Sequence, residues 1–425
     1  MGKYNSIYGY NIETPNFLNL AKESTVFRKA FCACPTCSPS RGALLTGMHP
    51  QTNGLIGLAH RGFSLNNIEN HLSFYLKKFG IQTVLCGEQH EVQNRQELGY
   101  EKLSFAPRQK DTDIDTYTAQ CAAEYLKNAH EPFFLSVGFV SPHRPYKTHT
   151  DIDPDYITLP NCLPDNEETR KDFADYMTSV SHADDCAGVV LAALKESGLY
   201  DKTVIILTTD HGIAFPYMKC HLYDTGIGVT LAIKTIEERK IKLSDTMVSH
   251  LDIFPTICDL LNIPYPEWLQ GVSLNPILKG EKDKVREYVF SGITYHAAYE
   301  PVRCIRTDRY KYIRRFDNDY HKKVLPNLDD GYSKRFLLKN GIADVILPEE
   351  ELYDLYLDPC ERNNLCISQP KENEATIIRN ELSEKLFAWM KEINDPLLKG
   401  KVPKPKGAIV NKQTCINPDD DCFEE

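Results

Sequence analysis

The sequence reads as an α/β protein, with a large, mainly parallel sheet covered by helices and a smaller α+β unit at its C-terminal end. Three features point there. Short, strongly apolar runs alternate with helical stretches through the first two thirds of the chain. A long amphipathic stretch fills the gap between two of those runs. After about residue 285 the texture changes to the alternation of antiparallel strands.

The apolar runs are IQTVLCG from Ile81, PFFLSVGFV from Pro132 and TVIILTTD from Thr203. Each is too continuous for a half-exposed strand, so each reads as buried on both faces. Between the last two, Phe173, Tyr176, Met177, Val180, Ala187, Val190, Leu191 and Leu194 recur at three- and four-residue steps. That predicts one helix, and Gly198 stops it. Farther on, EYVFSGITYH and VRCIRTDRYKYIRRF read as antiparallel strands and PEEELYDLYLDP as a turn-rich link. RNELSEKLFAWMKEIN reads as an amphipathic helix, and GKVPKPKGAIVNKQ as a segment extended over the surface. The expected division is an α/β domain over residues 1–285 and a C-terminal unit over 286–425, with no internal repeat.

The 425 residues suffice for a large core. A net charge of −10 argues against nucleic acid or an anionic membrane as the principal partner, while leaving room for a locally basic site. No apolar run approaches the ~18 residues of a membrane span, and MGKYNSIYGYNIETPN has no apolar stretch of signal-peptide type. The fourteen cysteines are scattered, which fits reduced thiols in a cytoplasm better than a disulfide framework. Cys415 and Cys422, in the polar tail, are the expected exception.

Three strand ends carry residues of catalytic type: His90 after the first run, His143 and Arg144 after the second, Asp210 and His211 after the third. In an open parallel sheet ligands bind beyond the carboxyl ends of the strands. Each end alone reads more readily as a polar loop than as a ligand; three together point to one site. Asp210-His211-Gly212 suits a cation held by a carboxylate and an imidazole, or an aspartate capping the next helix.

FCACPTCSPSRGALLTG, Phe31 to Gly47, is the most unusual stretch. Its three cysteines lack a fourth ligand at zinc spacing. Cys37 falls at the start of a helical run, where the helix dipole favours an anion, and Arg41 lies one turn on. That corner suits a nucleophilic sulfur. A buried structural role fits Cys32 and Cys34 better than Cys37.

Cys37-Ser38-Pro39-Ser40-Arg41 followed by Leu45-Thr46-Gly47 resembles the signature of the type I sulfatases. The resemblance runs nearly end to end, through ETPNFLNLAKESTVFRKAF, SPHRPY, TTDHG, AFPYMKCHLYDTGIGVTLAI and ELYDLYLDPCERNNL. CSPSRGALLTGMHPQTNGLIGL, GIAFP, HLYD and NDPLLKG are most similar to the heparan N-sulfatase (sulfamidase-like) branch. The resemblance implies the alkaline-phosphatase-like α/β sandwich and hydrolysis of a sulfate ester or sulfamate on a glycosaminoglycan-type sugar. It implies that a maturase converts Cys37 to formylglycine, and that Ca2+ is bound by Cys37, Asp210 and His211. Arg41, Lys219 and His90 would hold the sulfate or the nucleophile, and His143 would protonate the leaving group. Arg144 and His296 are assigned to the sugar; His296 reads equally as an exposed strand-end histidine.

Two departures from the family pattern stand out. The family's first strand ends in Asp-Asp, two calcium ligands, and MGKYNSIYGYNIETPN aligns just after that pair, so an upstream start is expected. The family's G-K-x-H is here Gly87-Glu88-Gln89-His90, which puts a carboxylate where a lysine contacts sulfate. The rival readings are a phosphate or phosphonate ester hydrolase on the same scaffold, a non-catalytic sugar-binding relative, and a plain thiol enzyme using Cys37.

Overall fold

A computed structural model describes residues 1–107, 112–237, 240–367 and 374–424. Along the chain, helix α1 (Pro15–Glu23) leads into strand β1 (Thr25–Phe31) and helix α2 (Cys37–Thr46). Strands β2 (Gln82–Gly87) and β3 (Lys102–Ser104), helix α3 (Ile114–Lys127), β4 (Phe133–Gly138), helix α4 (Glu167–Glu196) and β5 (Ile205–Thr208) follow. Then come β6 (Leu231–Lys234), β7 (Leu243–Ser249) and helix α5 (Ile253–Leu261). The C-terminal part holds β8 (Tyr288–Tyr295), β9 (Tyr299–Thr307), β10 (Tyr310–Arg315), helix α6 (Tyr332–Lys339), β11 (Glu350–Asp354) and helix α7 (Glu374–Glu392).

The central layer is a mixed four-stranded sheet, in the order β5-β6-β1-β7, and a parallel three-stranded sheet, β3-β2-β4. In the first, β1 is parallel to β7 and antiparallel to β6, which is antiparallel to β5. β4 and β5 each end a sheet, yet Phe133 and Leu135 of β4 share one apolar cluster with Ile205 of β5, under Leu194 of α4. The continuous apolar pattern of β2 follows from its two covered faces. Val84 and Cys86 pack on Ala122 of α3, while Leu85 packs on Leu98, Tyr100 and Phe134. The predicted helix is the 30-residue α4, and Gly198 after it takes the left-handed backbone, φ 73°.

The separate C-terminal sheet runs β11-β10-β9-β8, all antiparallel. Its core is continuous with that of the central layer: Phe27, Phe31 and Val248 pack with Val289, Ile293, Val302 and Ile313. Leu382, Leu386, Trp389 and Met390 make the buried stripe of α7. Arg303 and Asp395, both fully buried and 2.6 Å apart, tie β9 to the segment after α7.

The turn-rich link of the sequence contains a strand, β11. Its opening acidic residues hide the alternation, and arginines of β10 neutralise them: Arg314 lies 2.9 Å from Glu350 and Arg315 2.7 Å from Glu351. β1, the centre of the mixed sheet, is also unannounced, because Arg28 and Lys29 interrupt an otherwise buried strand. The tail buries Val402, Ala408 and Val410 in the C-terminal core, so it is clamped rather than loosely draped. A disulfide joins Cys415 to Cys422, and every other cysteine is a free thiol. Among the described residues no helix is long and apolar enough to cross a membrane.

Candidate active site

Cys37 is the first residue of α2, and its thiol is buried. Thr36 before it is extended and makes no side-chain cap, so two motif serines secure the first turn instead. Ser38 Oγ accepts the Ala59 N–H at 3.0 Å, and Ser40 Oγ donates to the Asp210 carbonyl at 2.5 Å. Pro39 sits in the first turn, where a missing N–H costs no helix bond. Arg41, one turn on, donates from Nε to Asp210 Oδ2 at 3.3 Å. The motif thus joins α2 to the end of β5.

The turn after β5 presents Asp210 and His211. A side chain at Gly212 would lie 2.1 Å from the Thr225 carbonyl, so only glycine fits there. His211 Nδ1 donates to the Gly212 carbonyl at 2.8 Å, which leaves Nε2 to face Cys37 Sγ at 3.4 Å and Asp210 Oδ2 at 3.6 Å. The backbone of Gly2 lies against the same turn, accepting from Thr209 Oγ1 at 3.2 Å.

Lys219, almost fully buried, donates to Asp329 at 3.0 Å. Asp329 lies in a loop fixed from two sides. Lys334 Nζ donates to the Leu328 carbonyl at 2.7 Å, and the Asn327 side chain accepts the Ala298 N–H at 2.8 Å. His143 follows β4, solvent-facing on one side and against the Cys37 sulfur on the other; its Nδ1 donates to the Arg144 carbonyl at 2.6 Å. His296, in the turn between β8 and β9, is buried with its ring against the Cys37 sulfur. It is therefore not an exposed strand-end residue.

His90 is half-exposed, its Nε2 3.5 Å from Glu88 Oε1. His60 links it to the centre: the two rings lie 6.5 Å apart, and His60 feels the charges of Cys37 and His296. Arg144 needs a correction. Its two Nη groups fork onto Asp172 at 2.8 and 2.7 Å, and Nε donates to the Ala214 carbonyl at 2.9 Å. The guanidinium is spent on a buried internal carboxylate, which makes Arg144 an anchor of the His143 loop rather than a ligand for sugar.

The charges work together. Burial would push the Cys37 thiol up, but Lys219, His211 and the contact with His143 outweigh it and hold the thiol well below its ordinary value. Burial also opposes ionisation of Asp210 and Lys219. His211 and Arg41 keep Asp210 below the usual carboxylate range, and Asp329 and Cys37 keep Lys219 above the usual amine range. Contact with the Cys37 sulfur raises His143. Cys32 and Cys34, in contrast, are pushed up by burial, as structural thiols are.

Of the sequence candidates, Cys37, Arg41, His143, Asp210, His211, Lys219 and His296 converge on one place. Asp329 and His60 were not singled out: NLDDG and LAHRG read as ordinary polar turns. Cys37, Asp210 and His211 offer ligand atoms within 4.8 Å of one another, the metal-type cluster among the described residues. One sulfur, one imidazole and one carboxylate already paired with Arg41 do not make the six to eight oxygens that calcium takes. These three residues supply part of such a shell, and the remaining oxygens would come from outside the set.

Known proteins resemble the whole chain. The family model described as Sulfatase matches residues 2–263, and that described as N-sulphoglucosamine sulphohydrolase, C-terminal, matches 211–331. The chain belongs to the sulfatase family, enzymes of the sulfuric ester hydrolase and sulfamidase class. An ulvan-active sulfatase of Formosa agariphila is 29% identical over 406 residues, covering 93% of this chain and 78% of that protein. Human N-sulphoglucosamine sulphohydrolase is 28% identical over 459 residues, covering 94% and 89%. Among solved structures, one in complex with its substrate D-glucosamine-2-N,6-O-disulfate superposes with a TM-score of 0.70 at 20% identity, covering 94% of this chain and 97% of the other. A phosphonate monoester hydrolase of Agrobacterium radiobacter gives 0.71 at 18% identity, with 97% of each covered. The fold is the alkaline-phosphatase-like α/β sandwich.

Proposed function

We propose that the chain hydrolyses a sulfate ester or sulfamate on a glycosaminoglycan-type sugar, with Cys37 as the position of the nucleophile. The observation that supports this is the ring of cationic and proton-bearing groups on one buried sulfur at a helix N-terminus: Lys219, His143, His211 and, one turn away, Arg41. The relative named N-sulphoglucosamine sulphohydrolase, and the neighbour bound to a sulfated glucosamine, favour a sulfated amino sugar.

Conversion of Cys37 to formylglycine by a maturase would supply a hydrated aldehyde here, an oxygen nucleophile suited to sulfur. The chain's own residues do the rest. Lys219, kept cationic by Asp329, binds a sulfonyl oxygen and offsets charge as it builds. Arg41 adds a second cation. His143, oriented by the Arg144 carbonyl, presents Nε2 and gives its proton to the leaving oxygen or nitrogen. His296 and His60 wall the pocket toward the sugar, and His90 stands at its mouth.

The test is to produce the chain with and without a formylglycine-generating enzyme and to assay N-sulfoglucosamine, an aryl sulfate and a phenyl phosphonate in parallel. Turnover of a sulfated substrate only after conversion of Cys37 supports the proposal. Faster phosphonate turnover points to the phosphonate hydrolase. Turnover by the thiol form, abolished by iodoacetamide, points to a thiol enzyme. Sugar binding without turnover, even after conversion and with calcium supplied, points to a non-catalytic relative.

A further inference from the structure

Beyond Val410 the tail keeps its two large apolar side chains, Ile416 and Phe423, exposed, so polar bonds hold it in place. It folds back on itself as a short hairpin. The Lys412 N–H donates to the Cys422 carbonyl at 2.8 Å and the Glu424 N–H to the Val410 carbonyl at 2.7 Å. The Cys415–Cys422 disulfide closes the loop between the two arms, and Asn411 Nδ2 donates across them to the Asp420 carbonyl at 3.0 Å. This hairpin meets three of the segments that build the candidate site.

The first is the turn that carries His296. Asn411, fully buried, donates its N–H to the Ala297 carbonyl at 2.8 Å and pairs with Ala298 as a parallel bridge. The second is the segment that carries His60. The next residue, Arg61, donates from Nη1 to Asn411 Oδ1 at 2.5 Å and from Nη2 to the Pro418 carbonyl at 2.7 Å. The third is the loop that carries Asp329. The buried Lys334 Nζ that holds the Leu328 carbonyl also donates to the Ile416 carbonyl at 2.7 Å and to Asn417 Oδ1 at 3.1 Å. Ile416, Asn417 and Pro418 all lie between the two bonded cysteines. A crosslink narrows the conformations open to the segment it spans, so it keeps these acceptors where Arg61 and Lys334 need them. We propose that the tail hairpin is a positioning element for the pocket, with Asn411 and the Cys415–Cys422 bond setting the places of His60, His296 and Asp329. The proposal rests on the hydrolytic reading only for what the pocket binds.

The experiment uses the full chain with Cys37 converted, and a water-soluble phosphine opens the bond. Phosphorus is oxidised to the phosphine oxide, taking its oxygen from water, and each sulfur gains one electron and one proton. The remaining cysteines are already thiols, so this bond alone changes. With N-sulfoglucosamine as substrate, KM should rise roughly tenfold on reduction while kcat stays nearly unchanged. Asn411→Ala should act in the same direction, and Asn411→Asp, which keeps an oxygen for Arg61, should lie nearer the unaltered chain. A second readout needs no turnover. Amide exchange followed by mass spectrometry should quicken at residues 57–62, 295–299 and 325–331 of the reduced chain, and not at 205–208 in β5. If the converted chain hydrolyses no sulfated substrate, the hydrolytic reading fails and exchange alone decides this one. Unaltered KM in an active, fully reduced chain, or unaltered exchange at the three segments, would overturn the proposal. So would faster exchange throughout with a lower melting temperature, the mark of a bond that only holds the fold together.

Discussion

Lys219 and Asp329, 110 positions apart, close a 3.0 Å ion pair within the wall that holds Cys37. Lys219 is buried and Asp329 half-buried, so the pair stands on geometry rather than on a favourable location for charge. Asp329→Ala should leave the Lys219 ammonium buried alone and destabilise the chain by about 3–5 kcal/mol, with Asp329→Asn costing less. Burial works against the charged Asp329, and Lys219 more than reverses it, depressing the carboxyl below its ordinary range. A depressed carboxyl stabilises above its unfolded pKa, so this contribution is full at neutral pH and fades below pH ~4. Urea titrations of the two forms across pH check it. Equal stability of Asp329→Ala at pH 7 would refute a structural role for the pair.

Arg144 should behave as an anchor. Asp172 is 2% exposed and takes both arms of the guanidinium, so Arg144→Ala leaves a buried carboxylate without its cation, held only by the Ser333 N–H and hydroxyl, and should cost about 3 kcal/mol. Arg144→Lys keeps one bond of the fork and should be intermediate. The discriminating readout is KM for a sulfated sugar on folded protein: a rise with unchanged thermal stability would return Arg144 to the substrate.

How much of this was legible in the sequence follows from where the determinants lie. The two apolar faces of β2 and the stripe of α4 are local patterns, and both stand as predicted. Cys37, Asp210 and His211 were legible because each sits at an element end that the chain itself marks. β1 and β11 were hidden because their charged residues are matched by partners far along the chain. Asp329 was hidden for the same reason, since nothing near it in sequence announces Lys219. Arg144 misled: adjacency to His143 suggested a shared role, whereas Asp172, remote in sequence, decides where its guanidinium goes.

His143 should set the basic limb of activity. Contact with the Cys37 sulfur is the largest influence and raises it, with Lys219 and burial opposing. A raised imidazole contributes stability that is complete below its unfolded value, ~6.5, and is lost as pH rises through the folded value. As proton donor in the converted chain it loses activity as the imidazole deprotonates, at a value that no longer carries the sulfur's contribution. NMR titration should show a His143 value above ~6.5 that falls back in Cys37→Ala. His143→Ala should cost roughly 10²–10⁴ in turnover, least for substrates with good leaving groups. An unaltered basic limb in His143→Ala would exclude it as the acid.

Cys37, Ser38, Pro39 and Ser40 are all buried in the folded chain. If a maturase converts Cys37, as the resemblance implies, burial of the motif should keep it from the enzyme's cleft, so conversion should require the unfolded chain. Incubating folded protein with a formylglycine-generating enzyme should leave the Cys37 peptide unmodified by mass spectrometry, whereas the denatured chain or a peptide spanning residues 31–47 should be converted. Efficient conversion of the folded form would mean that α2 opens readily, against the tethers of Ser38 and Ser40.

Glu88 gives the sharpest test of the site's charge balance. By the resemblance read from the sequence it stands at the lysine of the G-K-x-H pattern, and its carboxylate lies 3.5 Å from His90. Two unit charges ~4 Å apart in water interact by about 1 kcal/mol, and by more where water is excluded. If Glu88 faces the bound sulfate, Glu88→Gln should raise kcat/KM on a sulfated sugar about fivefold, and Glu88→Lys should raise it further, because repulsion becomes attraction. Added salt should narrow the difference, since charges at the mouth are screened. If Glu88 instead serves only to hold His90, both substitutions free that ring and kcat/KM falls or is unmoved. The sign of the Glu88→Lys effect separates the two roles, and a neutral sugar analogue, insensitive to the charge, supplies the control for any change in pocket shape.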